Sequence, residues 1–492
     1  MRTLPLFLVL IIALSVKPYV SYSQNESKDS IANYAELAWF GGSTERTAFW
    51  LQSNQFGLVP KTSPTGTVRI GIEQYFNLTA KESTPWKVGF GAEAVGNFSE
   101  NRKFLFPQLH ATLRYKNWEL FVGRKKQWVG LADSTLGTGS YPWSTNAMPI
   151  PRIQIGTRNF VSVPFTKGWV SFNAFYSDGI MDRNRPITSE LKLHQKGFYL
   201  RIGRQASILK LYGGFNHQVQ WGGKSPYFTG PDGNLPDGFK SYLNVVTGKQ
   251  GIKVEGFDFF DSSNRIGNHL GSIDLAAEIE TFGSSIFIYR QTLFEDGSLF
   301  YLKGLKDGLN GISVRGKNSY MSDFEITEGV FEFLYTKDQG GDDFVLTDGK
   351  KRGRDNYFNN QQIRDGWSYF DRTIGSPFIP PTSDTKWNWP VNGDNFTSNN
   401  RIMVFHIGLK GTFLQNFIWS TKLSFSNNGG SYAVPFDSNP TQFSGLVDIQ
   451  SRINFLGGAI VKASFAADAG DLYPRNFGFS LGLKKDGILF IR

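Results

Sequence analysis

Cysteine is absent from all 492 residues of the chain. Its absence excludes disulfide bonds, thiolate metal sites and a lipid-modified N-terminal cysteine. Small exported domains usually depend on disulfides for their stability, whereas a chain of this length can be stable without them if it forms a large core or a closed barrel. The sequence therefore favours one large fold over a set of small cross-linked modules.

Long hydrophobic runs are also missing. The most extended apolar stretch, Leu4–Val16, is too short to cross a bilayer as a helix, and the mean hydropathy of the chain is −0.28. These features exclude a helical membrane protein. The run follows Arg2 and has the length of a signal-peptide core, and the small residues Ser21 and Ser23 place a cleavage site after Ser23. We therefore expect residues 1–23 to be a signal peptide.

Recognisable catalytic and metal-binding patterns are scarce. The five histidines are scattered, and no pair has the spacing of a zinc-binding HExxH motif. Asp342 and Asp343 are adjacent, and paired carboxylates can serve a glycosidase, but solvated loop acids are far more common. The sequence predicts no enzyme, with no catalytic residue, no metal site and no cofactor.

What the sequence does contain is a recurring alternation of apolar and polar residues. Trp86, Val88 and Phe90, for example, are separated by Lys87 and Gly89. Successive side chains of a strand point to opposite faces, so each such stretch predicts a strand with one apolar and one polar face. Further apolar rows are Val68/Ile70/Ile72, Leu109/Ala111/Leu113/Tyr115 and Ile273/Leu275/Ala277/Ile279.

Aromatic residues make up 15% of the chain, with 44 Phe, 19 Tyr and 12 Trp. In an outer-membrane barrel, aromatic side chains cover the lipid face and form girdles at both interfaces. At roughly 10 residues per strand, the 469 residues after the predicted cleavage site suit about 16–18 strands. We predict an all-β fold in which residues 24–492 form a transmembrane antiparallel β-barrel of about 18 strands with long extracellular loops. A soluble β-sandwich could show the same alternation and is the alternative.

Three connections are much longer than the others: Gly123–Arg152, Trp221–His269 and Thr336–Asn400. Long loops on a rigid scaffold usually carry function, although they can also fold inward only to fill the lumen. By contrast, Lys116-Asn117 separates two alternating runs and predicts a tight turn.

The first long connection contains the segment Tyr141–Arg152, in which aromatic rings, amides and a guanidinium are interspersed. Aromatic rings can stack on the C–H faces of sugars, while amides and arginine bind hydroxyl and carboxylate groups. Loop packing or an interfacial girdle would use the same residues. The net charge of +10, or +8 without the signal peptide, fits anionic headgroups or acidic polysaccharide, or simply a solvated surface. An exported protein meets no nucleic acid.

Several blocks of the sequence resemble the capsule assembly proteins of the Wzi type. The blocks are Tyr141–Arg152, Gly214–Gly223, Gly267–Ser272, Tyr289–Leu299, Asp307–Leu309, Arg354–Asn360 and Gly366–Tyr369. The last two are similar to the Bacteroidetes-type branch, and the resemblance extends over residues 34–443. Two features depart from the family: enterobacterial members have an N-terminal helical bundle that has no counterpart here, and Arg492 ends the chain where outer-membrane barrels usually have an aromatic residue.

The resemblance implies an 18-stranded barrel in the outer membrane that acts as a surface lectin and helps to retain capsular polysaccharide. The identity of the glycan does not carry over, because capsules differ between strains. The implied partners are capsular or other surface polysaccharide, outer-membrane lipid and lipopolysaccharide, with the protein a monomer. A porin or sugar-conducting channel and an outer-membrane hydrolase are the alternatives.

Resemblance and side-chain chemistry together select ten candidate polysaccharide-binding residues. They are Trp143, Arg152, Asn216, His217, Gln220, Trp221, Lys350, Lys351, Arg352 and Arg354. The four basic residues at 350–354 could bind acidic glycan or lipopolysaccharide phosphates, or lie in a solvated loop.

Overall fold

The computed structural model describes residues 31–79, 84–100, 102–228, 230–249, 265–295, 303–317, 322–345, 353–386, 395–454 and 457–487. The expected signal peptide at residues 1–23 lies outside the described residues. So do three of the candidate binding residues, Lys350, Lys351 and Arg352.

The described residues form an 18-stranded antiparallel barrel, which confirms the predicted fold class. The strands are β1 Ile31–Gly42, β2 Thr65–Asn77, β3 Trp86–Phe98, β4 Lys103–Tyr115, β5 Trp118–Arg124, β6 Arg152–Thr157, β7 Val170–Ile180, β8 Lys192–Ile202, β9 Leu209–Trp221, β10 Asn268–Glu280, β11 Ser284–Glu295, β12 Gly308–Gly316, β13 Phe324–Tyr335, β14 Ile402–Phe413, β15 Phe417–Asn428, β16 Thr441–Ile453, β17 Ala459–Gly470 and β18 Asn476–Asp486. A further segment, Val161–Ser162, continues β6, because both segments pair with β7.

Helices are few and short in the described part of the chain. They are α1 at Phe49–Gln52, α2 at Phe239–Thr247 and two 3₁₀ turns at Pro231–Gly233 and Thr382–Asp384; a two-residue hairpin pairs Ser368–Tyr369 with Arg372–Thr373. Among the described residues, no helix has the length and apolar character needed to cross a bilayer.

Each strand pairs with its neighbours in sequence, and β18 pairs with β1, so the sheet closes on itself and leaves no open edge. The connections alternate between two ends of the barrel. At the short-turn end, β4 and β5 are joined by the predicted turn Lys116-Asn117. The three predicted long connections join β5 to β6, β9 to β10 and β13 to β14, and all of them lie at the opposite, long-loop end.

The side chains are arranged inside out relative to a soluble protein. On β10, Leu275 is 60% exposed on the outer wall, whereas its neighbour Asp274 is completely buried on the inner wall. On β3, Trp86 and Phe90 are exposed and Glu93 is buried. Soluble proteins bury large apolar side chains and expose carboxylates. A continuous band of exposed apolar side chains is instead the exterior of a membrane barrel, and the sandwich alternative is wrong.

The outer wall gives a direct test of this orientation through two adjacent residues of β6. Ile155 is 50% exposed on the outer wall, whereas Gln154 faces a cavity inside the barrel. We expect Ile155→Arg to destabilise the membrane-inserted protein by about 2–4 kcal/mol if it lies near the bilayer midplane, because an arginine there must face hydrocarbon. Gln154→Arg should change stability much less. Urea unfolding in lipid vesicles measures both, and equal effects would contradict the orientation.

The apolar core lies inside the barrel and is made by the long loops. Phe49 and Trp50 of α1 pack against Phe378, with ring centroids 4.9 and 5.8 Å apart. Tyr141 packs edge-on against Phe358 at 5.2 Å. We call the described parts of the β1–β2, β5–β6 and β13–β14 loops, which form this cluster, the plug.

Candidate functional site: the plug and its outer cleft

Buried polar side chains of the inner wall hold the β5–β6 loop inside the barrel. Asp274 accepts a hydrogen bond from the backbone N–H of Leu131 at 2.8 Å, and Glu332 accepts one from Thr138 at 2.5 Å. Gln291 accepts one from the N–H of Tyr141 at 2.9 Å. A buried polar group that lacks a partner is costly, and these hydrogen bonds satisfy the wall acceptors and the loop N–H groups together. The polar face of these strands therefore binds loop backbone instead of lining an open pore.

The β1–β2 loop is attached in the same way to the nearby strands β15 and β17. The carboxylate of Asp468 accepts a hydrogen bond from the N–H of Phe49 at 2.9 Å, and the indole N–H of Trp50 donates to Ser424 at 3.1 Å. Nε2 of His406 lies 2.7 Å from the carbonyl oxygen of Leu136. Two loops far apart in sequence are thus fixed to one wall segment.

Asp133 is the best-connected acid of the plug. Burial tends to raise the pKa of its carboxyl, but hydrogen bonds from the N–H groups of Leu136 and Thr135 and from Ser313 outweigh it and lower that pKa to about 2. Arg315 of β12 also contacts this carboxylate at 2.9 Å. Asp133 therefore remains ionised and bound to the wall at any physiological pH.

The plug separates two cavities. At the short-turn end, a cavity of about 850 Å³ is lined by Arg114, Lys125 and Arg201, and Trp128 and Leu131 of the plug contribute to its wall. At the long-loop end, a larger depression of about 1430 Å³ opens outward between loops. We call this depression the outer cleft.

The outer cleft combines opposite charges at close range. Nζ of Lys61 lies 2.7 Å from Asp384 and donates to the carbonyl oxygen of Asp371 at 2.6 Å. Burial lowers the pKa of Lys61, and Asp384 opposes that shift. The guanidinium of Arg364 lies 3.6 Å above the ring of Tyr227. A surface with interspersed donors, acceptors and a stacked planar group suits a hydroxyl-rich ligand.

Trp143 and Arg152 are brought together, but inside the plug. The guanidinium of Arg152 lies 5.2 Å from the centre of the Trp143 ring, donates to Gln195 at 2.6 Å and also binds Gln127. The enclosed space beside the pair is only about 20 Å³. A sugar ring does not fit there in this conformation.

Asn216 and Gln220 face inward from β9 and are fully buried. Asn216 accepts a hydrogen bond from Gln195 at 3.3 Å, and Gln220 donates to the carbonyl oxygen of Gly366 at 3.0 Å. Both side chains therefore join the inner wall network that supports the plug.

His217 and Trp221 point to the other side of the same strand, onto the outer wall, where helix α2 packs against Trp221. Trp221 forms a small apolar cluster with Val219 of β9 and Val245 of α2. Nε2 of His217 lies 2.9 Å from Nδ1 of His269 on the neighbouring strand. These two candidates are separated from the plug by the barrel wall itself.

Arg354 is exposed at the long-loop end, where its Nε donates to the carbonyl oxygen of Asp342 at 2.7 Å and its guanidinium lies 5.8 Å from the ring of Tyr432. The described candidates therefore occupy three places: the plug and the inner wall that holds it, the outer wall, and the loop surface. The charged residues of the outer cleft were missed in the sequence. Lys61 and Asp384 are 323 residues apart, and no local motif connects them.

Residues 13–383 match the family model of the capsule assembly protein Wzi. Among solved structures, the chain is similar to Wzi of Escherichia coli, which is described as an outer membrane protein involved in group 1 capsule assembly and as a carbohydrate-binding β-barrel. The two chains are 15% identical, and the match covers 92% of this chain and 84% of that chain with a TM-score of 0.56. At that identity the likeness shows the fold. A search of curated proteins finds no match.

Two further similar structures are OccK5 of Pseudomonas aeruginosa and OccAB4 of Acinetobacter baumannii. The first has 8% identity, covers 93% of this chain and 97% of its own, and has a TM-score of 0.44. The second has 9% identity, covers 94% and 98%, and has a TM-score of 0.46.

Proposed function

Since the chain belongs to the Wzi family of capsule assembly proteins, we propose that it is an outer-membrane barrel that binds capsular polysaccharide and retains it at the cell surface. The observation that carries the proposal is the outer cleft, a polar depression of about 1430 Å³ on the loop side of a plugged barrel. The carbohydrate binding described for the Escherichia coli relative supports the ligand class.

The lipid-facing wall supports placement in the outer membrane. The band of exposed apolar side chains needs hydrocarbon around it, and the long loops then project to the outside, as is usual for outer-membrane barrels. Outer-membrane lipid and lipopolysaccharide are therefore neighbours of the protein. A closed barrel with no open strand edge needs no partner subunit, and we propose a monomer.

The outer cleft contains cations and carboxylates together, so it suits polysaccharide with either acidic or neutral sugars. Exposed Arg354 lies on the β13–β14 loop, which also contributes residues to the cleft, and together with Lys350, Lys351 and Arg352, which precede it in the sequence, it is proposed to bind acidic groups of the glycan. The buried candidates Trp143, Arg152, Asn216 and Gln220 act instead as positioning residues that fix the plug beneath the cleft. Repeated weak contacts along one polysaccharide chain would retain it through avidity.

The plug argues against a diffusion porin, because its core and its wall contacts lie between the two cavities. No catalysis is proposed. Among the described residues, no group of three or more His, Asp or Glu side chains could hold a metal ion.

The proposal is tested in a strain that lacks the gene. We expect capsular polysaccharide to be synthesised at the normal level but to be recovered mainly from the medium, since its attachment and not its synthesis depends on the barrel. Quantification of cell-bound and released polysaccharide by immunoblotting measures this. Restoration by the wild-type gene is the control. An unchanged fraction of cell-bound capsular polysaccharide in the deletion strain would contradict the proposal.

A further inference from the structure

The outer wall between β9 and β13 carries a groove of about 580 Å³ that is apolar along most of its length and ends at an arginine. We propose that this groove binds an outer-leaflet glycolipid that has both phosphate groups and acyl chains, the chemistry of lipid A. The site faces lipid, is separate from the outer cleft and does not depend on which polysaccharide the protein binds.

Two cross-strand rows of outward side chains form the groove. The row nearer the long-loop end pairs Leu275 with Arg290 and Arg290 with Asn310. The row below it, toward the middle of the wall, pairs Ala277 with Ile288 and Ile288 with Ile312. Ala277 is small, so the wall is recessed where its larger neighbours project. Leu211, Phe331 and Phe333 complete the apolar sides.

Arg290 gives the groove its polar end. Its guanidinium donates to Asn310 Oδ1 at 2.6 Å, to the carbonyl oxygens of Leu305 and Asp307 at 2.6 and 3.3 Å, and to Thr292 Oγ1 at 3.3 Å. All four acceptors are neutral, and no carboxylate within the described part of the chain forms an ion pair with it. One N–H of Nη1 is also left without an acceptor among the described residues.

An arginine on the lipid-facing wall is unfavourable unless its charge is neutralised or reaches water. Here neutral acceptors fix the geometry of the guanidinium without cancelling its charge. A phosphate can do so, because guanidinium and phosphate match in shape and in charge. Charge complementarity therefore selects an anionic amphiphile over a neutral one.

The orientation of the groove selects the leaflet. Leu305 and Asp307 belong to the β11–β12 loop at the long-loop end, so the cationic end of the groove lies at the outer rim and the apolar rows extend inward from it. A lipid bound there has its phosphate at the outer surface and its acyl chains along the wall. Lys303 of the same loop adds positive charge near this rim, whereas Lys306 is paired with Asp338 at 3.0 Å.

Native mass spectrometry of the purified full-length barrel with added bisphosphorylated lipid A tests the site. We expect Arg290→Gln to lower the affinity for lipid A about tenfold, since one charge-assisted contact of this kind corresponds to that factor. Ala277→Leu should also weaken binding by filling the recess without touching the arginine. Arg204→Gln is the matched control, because Arg204 is an exposed cation at the short-turn end, 5.4 Å from the Trp169 ring.

The lipid can be varied as well as the protein. Removal of both phosphates from lipid A should weaken its binding to the wild type but cause little further loss with Arg290→Gln. Equal binding of lipid A by wild type and by both groove variants would overturn the proposal, and so would equal binding of phosphorylated and dephosphorylated lipid A by the wild type. If Arg290→Gln fails to fold, the proposal is tested by Ala277→Leu and by the comparison of phosphorylated with dephosphorylated lipid A. Polysaccharide binding should be unchanged in Ala277→Leu, which separates this site from the proposed function.

Discussion

Replacement of residues 126–150 by a four-residue Gly-Ser linker should convert the barrel from a closed state to an open channel with nanosiemens conductance steps in planar bilayers. Barrels of about 16–18 strands enclose an aqueous lumen unless loops fill it. Here the β5–β6 loop reaches the middle of the wall, where it binds Asp274, Glu332 and His406. The linker can close because Gly123 and Arg152 at its two ends are paired neighbours on β5 and β6.

The deletion should also disturb the rest of the plug, because other loops pack on the removed segment. Tyr141 contacts Phe358 at 5.2 Å, and Ser144 donates to the carbonyl oxygen of Gly375 at 2.6 Å. Removal of Phe239–Thr247 is the matched control, because α2 lies against the outer wall and its loss should leave the lumen closed. Stepwise conductance by the wild-type protein, or none by the loop deletion, would contradict the assignment of the plug.

Much of the barrel could be predicted from the sequence because two simple signals agree. The period of two shows which stretches are strands, and the absence of a long apolar run shows that any membrane crossing must be made by strands. The Lys116-Asn117 turn and the three long connections followed from local composition alone. Length predicted about 16–18 strands, because each crossing uses a nearly constant number of residues, and the family resemblance implied 18.

The position of individual site residues could not be predicted in the same way. Asn216 and His217 are adjacent and equally polar, yet one supports the plug and the other lies on the outer wall. The usual rule that outward residues are apolar fails there because α2 shields this part of the wall, and Tyr242 of that helix donates to Asp178 at 2.8 Å. No helical pattern in the sequence is long enough to predict this cover.

The outer cleft was missed for a different reason. Its residues come from loops that are far apart in sequence and meet only because the barrel closes and the plug fills it. Arg46, for instance, pairs with Asp468 of β17 at 3.3 Å and stacks on Tyr473 at 3.8 Å. A search for binding residues by composition favours a segment rich in aromatic residues, such as Tyr141–Arg152. That segment is rich in aromatic and apolar residues because it forms part of the core of the plug.

Variants of the outer cleft and of the buried candidates should therefore have opposite effects. We expect Arg364→Ala and Asp384→Asn each to weaken the affinity for purified capsular polysaccharide about tenfold, since each removes a charged hydrogen-bonding group from the cleft. Stability should change little, because both side chains are partly exposed. Isothermal titration calorimetry measures the affinity, and Arg158→Ala, at the short-turn cavity, is the matched control.

Arg152→Ala should instead destabilise the folded protein by about 2–4 kcal/mol, because it leaves the side-chain oxygens of buried Gln195 and half-buried Gln127 without a donor. The urea midpoint in vesicles should fall, and the temperature at which the barrel loses its compact mobility in detergent gels should fall with it. Under conditions where it remains folded, its affinity for polysaccharide should stay close to that of the wild type. Loss of affinity at unchanged stability would show that Arg152 contacts the ligand, and it would move the binding site from the outer cleft into the plug.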